Sequence, residues 1–469
     1  MEQSDSSTPL IKEYDRSEIE NGEPMEKDVL RAEEADEGAS GGFALSKRCK
    51  IILVSVFVVL AIMLPVTFLV IIPTMVQDIV DHTAMTVDTV YMINPSNDSF
   101  TSEVVLTFSD APPVSATMRL DKVMVSCDEL EDYNYLSFTH SNVLKVSTHQ
   151  TTLTSRASVT DTAGLQAFTE HALQSENFTW HLKGTATVTA LGDPVVTHID
   201  KTIALMGFNG FANGHPDVTS LSVTGGTAET LSLRTITNLN IDSNIVMSYG
   251  QNVNFNLVSN GVRVGVGTIV DCTMQRGAHD YDISITMSPA SDAELKEIES
   301  ILGNYIAGVD TSVDMSGFFL DHPIPWMDPG LASISMRAAL PSISDKLITR
   351  IDMGPVNLLH LVNVDFTLDL YNAVESDIII SALSAMIFFE GKHIGTVDES
   401  GLSIVVAAQS TAKSSKLSAR TDLKSIGPLT DLLKAGEGLL DIESTVSLKI
   451  GEFAVVIPYN QAQVPAYIT

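Results

Sequence analysis

From Ile51 to Gln77 the chain runs for 27 residues without a charge, IILVSVFVVLAIMLPVTFLVIIPTMVQ. As a helix rising about 1.5 Å per residue it would cover about 40 Å, more than the roughly 30 Å hydrocarbon core of a bilayer. The run predicts a membrane-spanning helix over 51–77, kinked at Pro65 and leaving the membrane near Pro73. A cleaved secretory signal would need a shorter apolar stretch beginning near the N-terminus and a small-residue cleavage site. Past residue 80 the texture changes to short runs of Val, Ile, Thr and Ser that alternate with period two, such as Val104-Val105-Leu106-Thr107-Phe108 and Thr185-Ala186-Thr187-Val188-Thr189. These read as strands with one packed and one wet face, the pattern of antiparallel sheets.

Three helical stretches interrupt the strands. They are Thr162 to Gln174 with Leu165, Phe168 and Leu173 inward, Asp292 to Ile306 with Leu295, Ile298, Leu302 and Tyr305, and Pro428 to Ala435 with Leu429, Leu432 and Leu433. The second opens on a good cap, Ser291. Each precedes a similar strand: Trp180-His-Leu182-Lys-Gly184, Val313-Asp-Met315-Ser-Gly317 and Leu448-Lys-Ile450-Gly451, the glycines 133 and 134 residues apart. A second echo pairs Asn260-Gly261-Val-Arg-Val264-Gly265 with Glu390-Gly391-Lys-His-Ile394-Gly395 at a spacing of 130, each reading as a hairpin turn. A period near 130 residues is the size of a domain, and three tandem domains follow, at 82–212, 213–345 and 346–469. The first departs from the pattern, with Val125-Ser126-Cys127-Asp128-Glu129 where the glycine hairpin should fall.

Charge divides the chain further. Residues 1–46 hold thirteen acidic and four basic side chains and few aromatics, and read as a disordered acidic tail. Lys47, Arg48 and Lys50 flank the apolar run, and basic residues beside a membrane helix stay cytoplasmic. The implied protein has a short cytoplasmic tail, a signal anchor and about 390 residues in a lumen or outside the cell. Asn97-Asp-Ser99 and Asn177-Phe-Thr179 are glycosylation sequons on that side. Cys49 sits where juxtamembrane cysteines are palmitoylated, an idle thiol being the equal alternative. With 27 basic against 58 acidic residues, a net charge of −31, the chain lacks the basic footprint of a nucleic-acid binder.

The string Thr237-Asn-Leu-Asn240-Ile-Asp-Ser-Asn244-Ile-Val, followed by Val253-Asn-Phe255-Asn-Leu257, Asn260-Gly261, Val264-Gly265 and Thr268-Ile269, resembles the late embryogenesis abundant type 2 domain. Asn94-Pro95-Ser96-Asn97 matches the opening of that signature in the first repeat, while Val362-Asn363-Val-Asp365 and Gly391 to Gly395 match it in part in the third. With the anchor and the Met206-Gly-Phe-Asn-Gly-Phe211 junction, the chain looks like single-pass membrane proteins of fungal vacuolar type. The resemblance implies immunoglobulin- or fibronectin-like β-sandwiches, some members with a helix, and lipid binding or transfer through an apolar groove. It carries over no catalytic residues.

Chemistry is otherwise sparse. The G-x-S-x-G match Gly38-Ala-Ser40-Gly-Gly42 lies in the tail with no strand before it, there is no H-E-x-x-H or G-x-x-x-x-G-K-[ST], and no two of the 11 histidines lie within four residues of each other. The acidic runs Cys127-Asp128-Glu129-Leu-Glu131-Asp132 and Ala278-His-Asp280-Tyr-Asp282 lack the spacing of a calcium loop and read as solvated faces. Cys127 and Cys272 fall in different repeats and read as buried thiols, and no cofactor or metal is expected. In the tail, Asp5-Ser-Ser-Thr-Pro9-Leu10-Ile11 approximates an acidic dileucine sorting signal, and Ser4 to Thr8 and Ser17 could be phosphorylated.

The expectation is a mainly β protein: one transmembrane helix, then tandem antiparallel β-sandwich repeats each with a short helix. Its function is read as non-enzymatic binding of lipid or another apolar ligand at a vacuolar or lysosomal membrane, with the plasma membrane second. The alternative is a structural or protein-binding ectodomain, recognisable by a flat exposed patch centred on residues such as Trp326.

Overall fold

A computed structural model gives the fold for residues 47–109, 116–130, 134–140, 144–146, 150–190, 193–212, 215–354, 363–422 and 424–468. The acidic tail, its sorting-like motif and its phosphorylation candidates lie outside these residues, as do the side chains of Lys47, Cys49 and Lys50, whose backbone is helical; Arg48 is exposed. The chain divides into two units, residues 1–64 and 65–469. The described residues are mainly β, with 58% in strands against 20% in helices.

The apolar run forms helix α1 (Lys47–Val66), and nearly all of its described side chains are exposed, as a lipid-facing surface requires. Pro65 cannot donate to the carbonyl four residues back, and a π-helical turn follows it at Thr67–Ile71. Helix α2 (Ile72–His82) comes next. Helix continues for nine residues beyond Pro73, because Pro73 falls in the first turn after the π segment, where a missing N–H costs little. Among the described residues the continuous helical stretch Val54–His82 is the one long and apolar enough to cross a membrane.

Strands β1 (Ala84–Ile93), β2 (Ser99–Ser109), β3 (Ala116–Cys127), β4 (Leu136–Thr139), β5 (Leu144–Val146), β6 (Gln150–Val159), β7 (Asn177–Ala190) and β8 (Asp193–Met206) make up most of the first sheet, in the order β1-β2-β6-β4-β3-β7-β8 with β5 paired to β3. Beyond β1 the sheet is extended by Ile245–Ser248, which pairs with β1 in parallel, and by Thr273–Met274. The seven strands between Asp217 and Leu340 other than these two close into a barrel, and Ile348 to Ile468 form an eight-stranded sheet. Pairing is antiparallel except at β1 with Ile245–Ser248, at the barrel closure, and between Ile348–Met353 and Phe453–Ile468.

The sequence's helices are present as α3 (Thr162–Gln174), α4 (Asp292–Ala307) and α6 (Ile426–Ala435), with a short α5 (Asp328–Ala332) that the periodicity did not signal. Asp161 caps α3 by accepting from the Ala163 and Gly164 amides, and Ser291 caps α4 through the Glu294 amide. Each turns its apolar face inward, Leu165, Phe168 and Leu173 from α3 and Leu302 from α4 being buried. Both predicted hairpins turn through left-handed pairs, Asn260-Gly261 (φ 49° and 78°) and Glu390-Gly391 (φ 49° and 72°), the conformation that a tight two-residue turn demands.

Candidate functional site

The first sheet curls until β1 and β8 lie side by side, yet no ladder joins them. One end of this seam is stapled by Asn244: its carbonyl accepts from the Val90 amide (2.9 Å), its Oδ1 accepts from the Met206 amide (2.9 Å), and its Nδ2 donates to the Val87 carbonyl (3.3 Å). At the other end α2 lies along the free edge of β8. The Gln77 amide behaves as a missing strand would, accepting from the His198 amide (3.0 Å) and donating to its carbonyl (3.1 Å).

Inside the curl is a cavity of about 110 Å³. The inward residues of seven of the strands line it, among them Val104, Ala116, Trp180 and Ile199, and Ile79 and Val80 of α2 close it on the seam side. Two polar side chains reach the wall, Thr83 and Lys201. Corresponding spaces in the second and third units are about 20 Å³ each. In the second, Phe255 and Phe318 stack with ring centroids 5.0 Å apart and fill the interior. In the first sheet Phe108, Phe138 and Trp180 line the cavity, and Phe168 of α3 stacks on Tyr135 (4.7 Å) and meets Phe178 edge-on (5.4 Å) and Trp180 at a tilt (6.1 Å). The Tyr135 hydroxyl and the Trp180 indole N–H lie close enough to influence each other, but neither meets hydrogen-bond geometry with a described group, and burial pushes the Tyr135 hydroxyl well above its ordinary pKa.

A second cluster lies beyond this aromatic group. One ligand atom each from Cys127, Glu129 and His171 falls within 4.8 Å of the other two. The Cys127 thiol donates to Glu129 (2.9 Å), Glu129 also accepts from the Thr179 amide (3.1 Å), and the His171 ring bonds to Ser175 (3.2 Å). Burial first, and the Glu129 bond second, push the thiol up to about 12; for Glu129, burial pulls upward but is outweighed by the bonds from Cys127 and Thr179, which hold the carboxyl below its usual value. These residues could be drawn around a metal ion, which would have to displace the thiol proton on binding. Burial likewise pushes Cys272 up to about 12; both cysteines are buried and free.

The residues singled out from sequence are dispersed. Asn97 and Asn177 are both exposed, and neither is near the cavity wall. Of the first acidic run, Asp128 pairs with His181 (3.3 Å), and Glu131 and Asp132 lie outside the described residues. In the second, Asp282 pairs with Arg234 (2.5 Å) and Asp280 accepts from Asn238 (2.7 Å), so both carboxylates are already engaged. Trp326 is not the centre of an exposed patch: it is fully buried, donates to the Ser96 carbonyl (2.9 Å) and packs on Phe100 (5.9 Å). It ties the middle barrel to the first sheet. The cavity and Lys201 were missed from sequence, the available signal being a lysine at an odd position of the alternating strand Thr197 to Leu205.

Residues 131–257 match a family model described as a protein of unknown function (DUF3712). The match runs from β4 through the strand Val253–Ser259, so it includes β7, β8, Asn244 and the strand lent to the first sheet, and straddles the 212/213 boundary read from the repeats. No curated protein matches. Among solved structures the chain is similar to a protein from Archaeoglobus fulgidus, at 14% identity and a TM-score of 0.18, covering 24% of this chain and 90% of that one. It is also similar to a β-glucuronidase from glycoside hydrolase family 2, at 11% identity and a TM-score of 0.16, covering 57% of this chain and 27% of that one. At such scores neither likeness carries an argument about chemistry.

Proposed function

We propose that this chain is a non-enzymatic, membrane-anchored binding protein whose first β unit holds an apolar ligand, lipid in character. The observation that carries this reading is the apolar cavity of about 110 Å³ inside the first sheet, set against apolar interior spaces of about 20 Å³ in the middle barrel and the third sheet. Close packing is the norm for a protein interior, and an apolar void of this size is costly unless something occupies it. An engineered cavity of about 150 Å³ with similar walls takes up benzene. The late embryogenesis abundant type 2 resemblance, carried by turn and strand residues, supports the same reading, since lipid binding is proposed for that group. The basic cluster at Lys47, Arg48 and Lys50 supports an N-terminus in the cytoplasm and β units in a lumen or outside the cell, and the dileucine-like Asp5-Ser-Ser-Thr-Pro9-Leu10-Ile11 supports a vacuolar or lysosomal membrane.

Trp180, one of two tryptophans in the chain, provides the test. With the full chain in lipid nanodiscs, a terminally brominated twelve-carbon alcohol is expected to quench Trp180 fluorescence saturably. Val104→Phe, which pushes a ring into the cavity, is expected to abolish the saturable quench while the thermal transition is retained. Equal quenching of both proteins would count against the cavity as the site.

A further inference from the structure

Strand β8 alternates cleanly, with Thr197, Ile199, Ile203 and Leu205 buried and the residues between them exposed. Lys201 occupies an inward position in that series, on the cavity wall between Ile199 and Ile203. Its Nζ donates to the carbonyls of Asp81 (2.8 Å) and Thr83 (3.0 Å) at the C-terminal end of α2. An ammonium has three donors, so one remains after these two bonds. No carboxylate among the described residues lies within ion-pair distance of it, although acidic residues outnumber basic ones 58 to 27, and the Asp81 carboxylate is engaged by Gln77 (2.8 Å). Lys201 is half-buried, so its stem lies on the apolar wall while the ammonium, held by the carbonyl end of α2, stays within reach of an anion at the mouth. The position of Lys201 is informative, because it stands at the unpaired seam between β1 and β8, where a chain leaving the cavity would emerge.

Resting on the apolar-ligand reading above, we propose that the occupant is a single-chain amphiphile with an anionic head, its chain end in the cavity and its carboxylate or phosphate against Lys201. A single chain fits the observed space: at about 110 Å³ the cavity, which is open at one side, takes the end of one chain. The rest of the chain leaves through the seam, over the shoulder formed by Ile79 and Val80. The carbonyls of Asp81 and Thr83 keep the ammonium at the mouth, so the head binds without the lysine being recruited from solvent.

The test compares matched probes on the full chain in phosphatidylcholine nanodiscs, read by Trp180 quenching. The terminally brominated twelve-carbon acid is expected to reach half-quenching at a concentration about tenfold or more below that of the corresponding brominated alcohol. Lys201→Met is expected to weaken the acid to the level of the alcohol while the thermal transition is retained, and Lys201→Arg is expected to retain the preference. Unbrominated dodecanoate and dodecyl phosphate, added as competitors, identify the head: displacement by either supports the proposal and displacement by neither overturns it. Equal binding of acid and alcohol to the wild-type chain, or an acid response unchanged in Lys201→Met, overturns the anionic head but leaves the apolar site standing. If neither probe quenches, the apolar-ligand reading itself falls and this proposal with it.

Discussion

Cys127 and Cys272 are buried thiols whose acidity is suppressed to about 12, chiefly by the cost of placing a thiolate among apolar neighbours. At pH 8 the thiolate is therefore scarce at either site, whereas roughly a quarter of an unperturbed thiol would carry it. Both are expected to resist alkylation by iodoacetamide in the folded chain and to react once it is unfolded in urea, as followed by peptide mass spectrometry; rapid labelling of Cys127 in the folded state would show that its thiolate is accessible and that metal binding deserves a fresh test. The raised pKa also fixes a sign. The folded chain keeps protons that the unfolded chain releases above about pH 8.5, so these thiols make stability fall as the pH rises through that point towards 12. Lys201 illustrates what residue-scale reading of a sequence misses. In Val-Val-Thr-His-Ile-Asp-Lys-Thr-Ile either phase of the alternation puts polar residues inside, and only the ladder with β7 decides that Lys201 faces the core.

At the scale of elements, the helices and hairpins were legible because their signals are local: a cap, an apolar stripe, an Asn-Gly or Glu-Gly turn. The repeated glycine is more instructive. Gly317 and Gly451 take left-handed conformations (φ 59° and 61°), whereas Gly184 does not; a β-carbon there would come within 2.2 Å of the Lys122 carbonyl oxygen at an irregularity in the β3–β7 ladder. One letter at one spacing thus serves two physical needs. Gly184→Ala is expected to destabilise the chain by about 1–3 kcal/mol, since the obstruction is backbone and cannot swing aside. Gly391→Ala, which meets nothing within 4 Å, is expected to cost only about 1 kcal/mol for its left-handed backbone. Thermal melts of the two variants check the order, and a reversed order would mean that β3 and β7 tolerate separation at this point. The role of α2 was not legible at all. Its apolar sequence reads as a continuation of the membrane helix, and only the pairing of Gln77 with the edge of β8 makes it a cover for the seam.

At the scale of the whole molecule, the three sheets show what a period of about 130 residues can and cannot say. It marked the recurrence of helix and strand, but strand exchange leaves no local trace: Ile245–Ser248 lies within the second repeat in sequence and extends the first sheet in space. Nor could repetition foretell that one unit would keep an open interior while Phe255 and Phe318 fill another. That difference is the central claim about function, and lipid analysis of the full chain purified from its native membrane addresses it most directly. Native mass spectrometry followed by solvent extraction is expected to find about one apolar molecule per wild-type chain, single-chained and anionic, and none specifically retained by Val104→Phe. A wild-type chain that is folded and empty, or a variant carrying the same molecule in the same amount, would contradict the account.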